Sequence, residues 1–234
     1  MKKWLLTTSC FFSFVFSFAQ DCKTNLYMTD NAKLVMTIYD KKGAVTGTQN
    51  IAITGVKKTG DAYESTITNS FTNDKGKVLS NASGTYHCKN GALSADMKMF
   101  MPQEQMGKMG EAEANVEPVY LEYPATPSPG QALKDAEFTM NMKMNGGMGI
   151  TVNFKEENRK VANKESVTSP AGTWDAYVIT YDGTMKTKMA GLGLPGFNFS
   201  AKEWFVPGMG VVKTESYNKG GKLVGSTMLT SVTK

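Results

Sequence analysis

The chain has 234 residues, 41% of them hydrophobic and 20% charged, which is enough apolar material for one folded domain with a sizeable core and too much for a disordered chain. Its 23 glycines, with abundant Thr, Ser, Asn and Val, favour strands and tight turns over an all-α fold, and a single histidine leaves most metal-hydrolase and Ser-His-Asp schemes without their parts. The net charge of +5 is mild and Arg159 is the one arginine, which excludes a nucleic-acid surface built on clustered arginine forks.

In chain order, Met1, Lys2 and Lys3 give a positive start, Trp4 to Phe18 is apolar, and Ser17 and Ala19 place small residues at −3 and −1 of a cut. Residues 1–19 read as an export signal that is removed, leaving residues 20–234 as a single all-β domain. The apolar run is short of the ~20 residues that span a bilayer, so the product is not integral to the membrane. Cys22 raises lipid attachment, but Ala19, Gln20 and Asp21 make a poor lipobox, and a soluble periplasmic or secreted product is expected. In an oxidising compartment Cys22 and Cys88 pair, closing a loop of ~65 residues and stabilising the fold by on the order of 4 kcal/mol. His87 beside Cys88 is not a catalytic pair, because neighbours on a strand point to opposite faces.

Leu34 to Tyr39 reads as a strand closed by the turn at Asp40 to Gly43, and the same punctuation recurs near residues 58–61, 73–76, 89–91, 145–147 and 219–221. The intervals predict a curved antiparallel meander of about ten or eleven strands, forming an incompletely closed barrel. Two-residue alternation is sharpest in Leu93, Ala95, Met97, Met99, Met101 and in Ala136, Phe138, Met140, Met142, Met144, with Asp96 and Glu137 on the opposite, wet faces. Val78, Ala82, Tyr86 and Cys88 form a weaker apolar face, as do Ile150, Val152 and Phe154. Residues 102–131 break the meander as a connector that includes a short helix near 102–109. Residues 183–200 form an apolar, glycine-rich loop carrying Met189, Leu192 and Phe197, either tucked on the sheet or acting as a flap.

Gly191 to Gly196 spells G-x-G-x-x-G, but it holds a proline and lacks the strand-to-helix setting that a dinucleotide needs. Ser216 to Lys219 spells S-x-x-K and runs into a turn without catalytic partners. The real excess is methionine, 16 residues in all. Thioethers fill irregular cores, remould around greasy ligands, or bind copper(I), although same-face residues on one strand lie ~6.6 Å apart, too far for a compact metal site.

Glu165, Val167, Pro170, Ala171, Gly172, Thr173 and Trp174, followed by Trp204, Pro207, Gly208, Gly210, Val211 and Lys213, resemble the motifs of an exported bacterial family, DUF3108-like, also titled TapB. The resemblance is strong over residues 133–215 and general over 34–100. It implies an incompletely closed antiparallel barrel similar to periplasmic lipoprotein carriers, and no established activity. Read physically, both proline-glycine segments are turns, and Trp174 and Trp204 either plug a barrel end or stack a ligand.

The leading expectation is a non-enzymatic, cofactor-free carrier of a hydrophobic small molecule, acyl chain or lipid-modified polypeptide. Its site would be lined by Leu93, Met97, Met99, Met101, Phe138, Met140, Met142, Met144, Met189, Leu192, Phe197 and Trp204. The alternatives are an envelope module that contacts other proteins without a small ligand and, less so, a copper(I) chaperone.

Overall fold

The computed structural model describes residues 21–100, 111–112, 117–143, 149–189 and 191–234. Their strands are β1 (Lys33–Asp40), β2 (Val45–Thr59), β3 (Ala62–Asn73), β4 (Val78–Lys89), β5 (Ala92–Asp96), β6 (Glu111–Ala112), β7 (Tyr120–Tyr123), β8 (Ala136–Lys143), β9 (Gly149–Ser169), β10 (Gly172–Met189), β11 (Leu192–Gly193), β12 (Phe197–Val206), β13 (Gly210–Asn218) and β14 (Leu223–Thr233). They form one antiparallel sheet in the order β6-β8-β9-β10-β12-β13-β14-β1-β2-β3-β4-β5-β7, with β11 paired to β10. Sequence neighbours pair except where β7 joins β5, β6 joins β8 and β12 joins β10, and the last strand closes on the first, Leu34 opposite Val232. The sheet curls into a nearly closed barrel whose seam lies between β7 and β8. The count exceeds ten or eleven because the connector yields β6 and β7 and the apolar loop yields β11, none of them long enough to show alternation in the sequence.

Alternation decides the layers. On β9, Ile150, Val152, Phe154 and Glu156 point into the core, while Thr151, Asn153, Lys155 and Glu157 face outward. The outward polarity is the reverse of a lipid-facing barrel. Among the described residues, no helix is long and apolar enough to cross a membrane.

Local expectations fail in two places. The strand read from Leu93 to Met101 stops at Asp96, and Met97–Phe100 is a 3-10 turn. Asp96 therefore does not lie on a wet face. It is buried, accepts the amide of Lys98 at 3.1 Å and pairs with Lys98 Nζ at 3.2 Å, capping the turn. Gly84 makes the room: a Cβ there would meet Asp96 Oδ2 at 2.8 Å and Met99 Sδ at 2.9 Å. Residues 183–200 are likewise no irregular loop, because β10 runs on to Met189 and β12 starts at Phe197. Gly183 permits this, since the ring of its cross-strand partner Phe199 fills the space where a side chain would stand. The short helix expected over 102–109 lies outside the described residues.

One end of the barrel is plugged. The 3-10 turns Cys22–Thr24 and Leu26–Met28 sit under it, joined to β4 by the Cys22–Cys88 disulfide. The amide of Leu26 donates to Gly208 O at 2.7 Å, and Asn25 Oδ1 receives the amide of Tyr27 at 3.0 Å. Tyr27 packs on Tyr86 and against Gly210, where φ is +89°. The expected pairing of Cys22 with Cys88 is the one found.

Candidate functional site

The predicted lining residues fall into four groups. Leu93, Met97, Met99, Phe138 and Met140 are buried in one hydrophobic core. Phe138 lies opposite Phe154 and Met140 opposite Val152 on paired strands, and the Met97–Phe100 turn packs against β8 across the seam. The two methionine stretches therefore adjoin. Leu93 is 1% exposed, Met97 0% and Phe138 2%. A side chain that a water-sized sphere cannot reach has no room beside it for an acyl chain.

Trp204 is buried on the face of β12 opposite to Glu203 and Phe205, across from Val178. Its indole Nε1 donates to Glu165 Oε1 at 2.7 Å, and Lys213 Nζ lies 4.1 Å from the ring centroid. The indole bond holds the Glu165 carboxyl below its ordinary pKa. Trp204 is thus engaged by protein groups. Met189 is partly buried at the far end of β10, whereas Leu192 is 74% and Phe197 39% exposed, so they line no interior. Met101 and Met144 lie outside the described residues, and Met142 is placed only as a strand position opposite Ile150.

The polar centre of the barrel lies between these groups and escaped the sequence reading. In β9 the residues Asn158 and Arg159 together oppose Tyr181, because Glu157 pairs with Asp182 and Lys160 with Thr180. Asn158 takes φ +57° and its side chain donates to Asp182 Oδ2 at 2.9 Å. This bulge shifts the alternation by one residue, so Glu156 and Arg159, three apart, both point inward. Their side chains are fully buried, with Arg159 Nε 3.4 Å from Glu156 Oε2. Arg159 Nη1 donates to Lys134 O at 3.0 Å and Glu122 O at 3.5 Å. Lys134 precedes β8 and Glu122 belongs to β7, so the guanidinium latches a seam that no pairing among the described strands closes. Its carbon lies 5.3 Å from the centroid of Tyr123, whose hydroxyl donates to Glu203 Oε2 at 2.9 Å.

Burial raises the pKa of Glu156 to about 8, helped by Glu203 and opposed by Arg159. Glu203 is raised by burial as well, against Arg159 and the Tyr123 hydroxyl. Two carboxyls thus share one fixed positive charge, and burial favours a proton on the pair. The arrangement can hold and exchange a proton, but it is sealed beneath the sheet. Over the bulge lies a cleft of about 290 Å³ lined by Asn158, Lys160, Tyr181, Asp182, Lys202 and Tyr217.

His87 is turned away from Cys88, onto the outer face. Its Nε2 is 2.9 Å from the Tyr120 hydroxyl, which is 2.7 Å from Thr85 Oγ1, and its Nδ1 is 3.6 Å from Glu64 Oε2. These groups lie half-exposed on the outer sheet, linking β3 and β4 to β7 across β5.

Two solved structures share the fold. One is a candidate lipoprotein of Parabacteroides distasonis, with TM-score 0.75 and 22% identity, covering 92% of this chain and 100% of that one. The other is a candidate exported protein of Bacteroides fragilis with a YmcC-like fold, with TM-score 0.72 and 18% identity, covering 88% and 97%. No curated protein matches the chain. The DUF3108-like family model matches residues 30–229, nearly every described strand, and the chain belongs to that family.

Proposed function

We propose that this chain is an exported, non-enzymatic protein of the cell envelope that works through its surface, as an interaction module, and carries no guest inside the barrel. The observation behind this reading is that Leu93, Met97, Met99, Phe138 and Met140, expected to line a groove, are buried together in one hydrophobic core. Export is supported by the signal pattern of residues 1–19, by the Cys22–Cys88 bridge, which persists in oxidising compartments, and by fold relatives described as exported or lipoprotein. A non-catalytic role is supported by the burial of the one perturbed carboxyl pair away from any substrate.

Native mass spectrometry of protein gently purified from its export compartment tests this reading. The expected spectrum is the bare mature chain. A stoichiometric lipid or other apolar molecule that leaves only on denaturation would restore the carrier.

A further inference from the structure

Antiparallel register brings the turns after β1, β3 and β13 to the same end of the barrel. Asp40 lies opposite Gly225, Gly47 lies opposite both Ile38 and Asn73, and Asn218 lies opposite Phe199. The three turns share one design. Asp40, Asn73 and Asn218 each accept two backbone amides, two and four residues on, at 2.8–3.0 Å, and Gly43, Gly76 and Gly221 each take a positive φ of 71–82°. Each turn projects two exposed lysines: Lys41 and Lys42, Lys75 and Lys77, Lys219 and Lys222.

The large apolar residues exposed among the described residues gather at this end. They are Val45, Val78, Val224, Leu192, Leu194 and Phe197. Each valine begins the strand after one of the lysine turns or lies one residue further on. The other three sit on a tongue formed by β10, β11 and the start of β12. This tongue reaches past the Asn218 turn, since Met185 pairs with Phe197 and Met189 with Leu192. From Gly183 to Lys202 the sequence has no acidic residue, while Lys186 and Lys188 stand exposed on the tongue. Across the three turns and the tongue, eight lysines face only Asp40 and Asp74.

We propose that this end docks peripherally on an anionic phospholipid surface, with Leu192, Leu194 and Phe197 entering the interface and the surrounding lysines meeting the headgroup phosphates. Apolar tips ringed by lysines are the arrangement that such an interface rewards, through buried hydrocarbon and charge attraction together. The tongue also enters with backbone pairing already made, Leu194 N donating to Thr187 O at 2.8 Å. The inference deepens the surface-acting reading above by naming the surface and its partner.

The test is co-sedimentation of the full mature chain with vesicles of phosphatidylglycerol and phosphatidylcholine in equal parts, against pure phosphatidylcholine. Binding is expected to the anionic vesicles, at least tenfold weaker to the neutral ones, and to fall as salt rises from 0.1 to 0.5 M, roughly as the Debye length shortens. The triple variant Leu192→Ser, Leu194→Ser, Phe197→Ser, and separately Lys186→Gln with Lys188→Gln, should each weaken binding about tenfold while circular dichroism stays unchanged. A Leu192→Trp variant should show a blue-shifted emission with anionic vesicles. Absence of binding, equal binding to neutral vesicles, or binding indifferent to the triple variant overturns the inference. If crosslinking instead finds an envelope protein on this end, the membrane is the wrong partner and the surface-acting reading stands. A lipid retained inside the purified protein overturns that reading whatever the vesicles show.

Discussion

The two ends of the barrel are built from the same hairpin meander, yet they have opposite chemistry. At the plugged end, Cys22 to Met28 folds under the strands, Tyr27 and Leu26 are buried, and a disulfide ties the segment to β4. At the open end, Asx-type turns satisfy their own backbone locally, so nothing has to cover them, and lysines and stray apolar side chains stand in solvent. Stability is concentrated at the plug and seam, and interaction capacity at the turns, because the side chains that contact a partner need exposure and those that hold the fold need burial.

Perturbing the two regions should therefore have separable effects. The largest is expected at the seam: Arg159→Met removes the only fixed positive charge that the described residues place beside Glu156 and Glu203 and frees two backbone carbonyls. It should cost about 3–5 kcal/mol in urea denaturation, and a loss under about 1 kcal/mol would mean the latch is dispensable. Next is the plug, where Cys22→Ser with Cys88→Ser should cost roughly 2–4 kcal/mol and leave the end open to proteolysis between residues 21 and 32.

The third effect is a pH dependence. Glu156 has a native pKa raised from 4.5 to about 8, so the native state holds a proton that the unfolded state releases. Stability from this group is highest below about pH 4.5, declines as pH rises towards 8 and is level above, a fall on the order of a few kcal/mol. Glu203 acts in the same direction. Glu156→Gln should flatten the part of the slope that belongs to Glu156, measured as Tm against pH; an unchanged slope would assign it elsewhere. A smaller loss, about 1–3 kcal/mol, is expected for Gly210→Ala, which sets a Cβ against the Tyr27 ring at a left-handed φ. The smallest effect belongs to the open end: Leu192→Ser, Leu194→Ser, Phe197→Ser should shift stability within about 0.5 kcal/mol, since these side chains are exposed. A larger loss would make the tongue part of the core.

The all-β architecture, the turns and the disulfide were legible in the sequence because each is a local or countable signal: alternation, Asx-lysine-glycine punctuation, and two cysteines beyond the apolar stretch of residues 4–18. The apolar inward face of β8 at Ala136, Phe138 and Met140 was read correctly for the same reason. Asp96 was misplaced because alternation cannot show where a strand gives way to a 3-10 turn. Arg159 stood out as the only arginine, yet nothing nearby marked it as buried, since regular alternation puts it opposite Glu156.

The sequence by itself determined a meander of antiparallel hairpins with apolar and polar faces, since period-two patterning and turn chemistry act over a few residues. Only the tertiary structure decided which face each residue of β9 presents beyond Asn158, because a bulge arises from a mismatch with the neighbouring strand and reverses everything after it. The same holds for the lysine turns, which lie far apart in the chain. They meet at one end because β14 pairs with β1, a contact between strands at opposite ends of the chain.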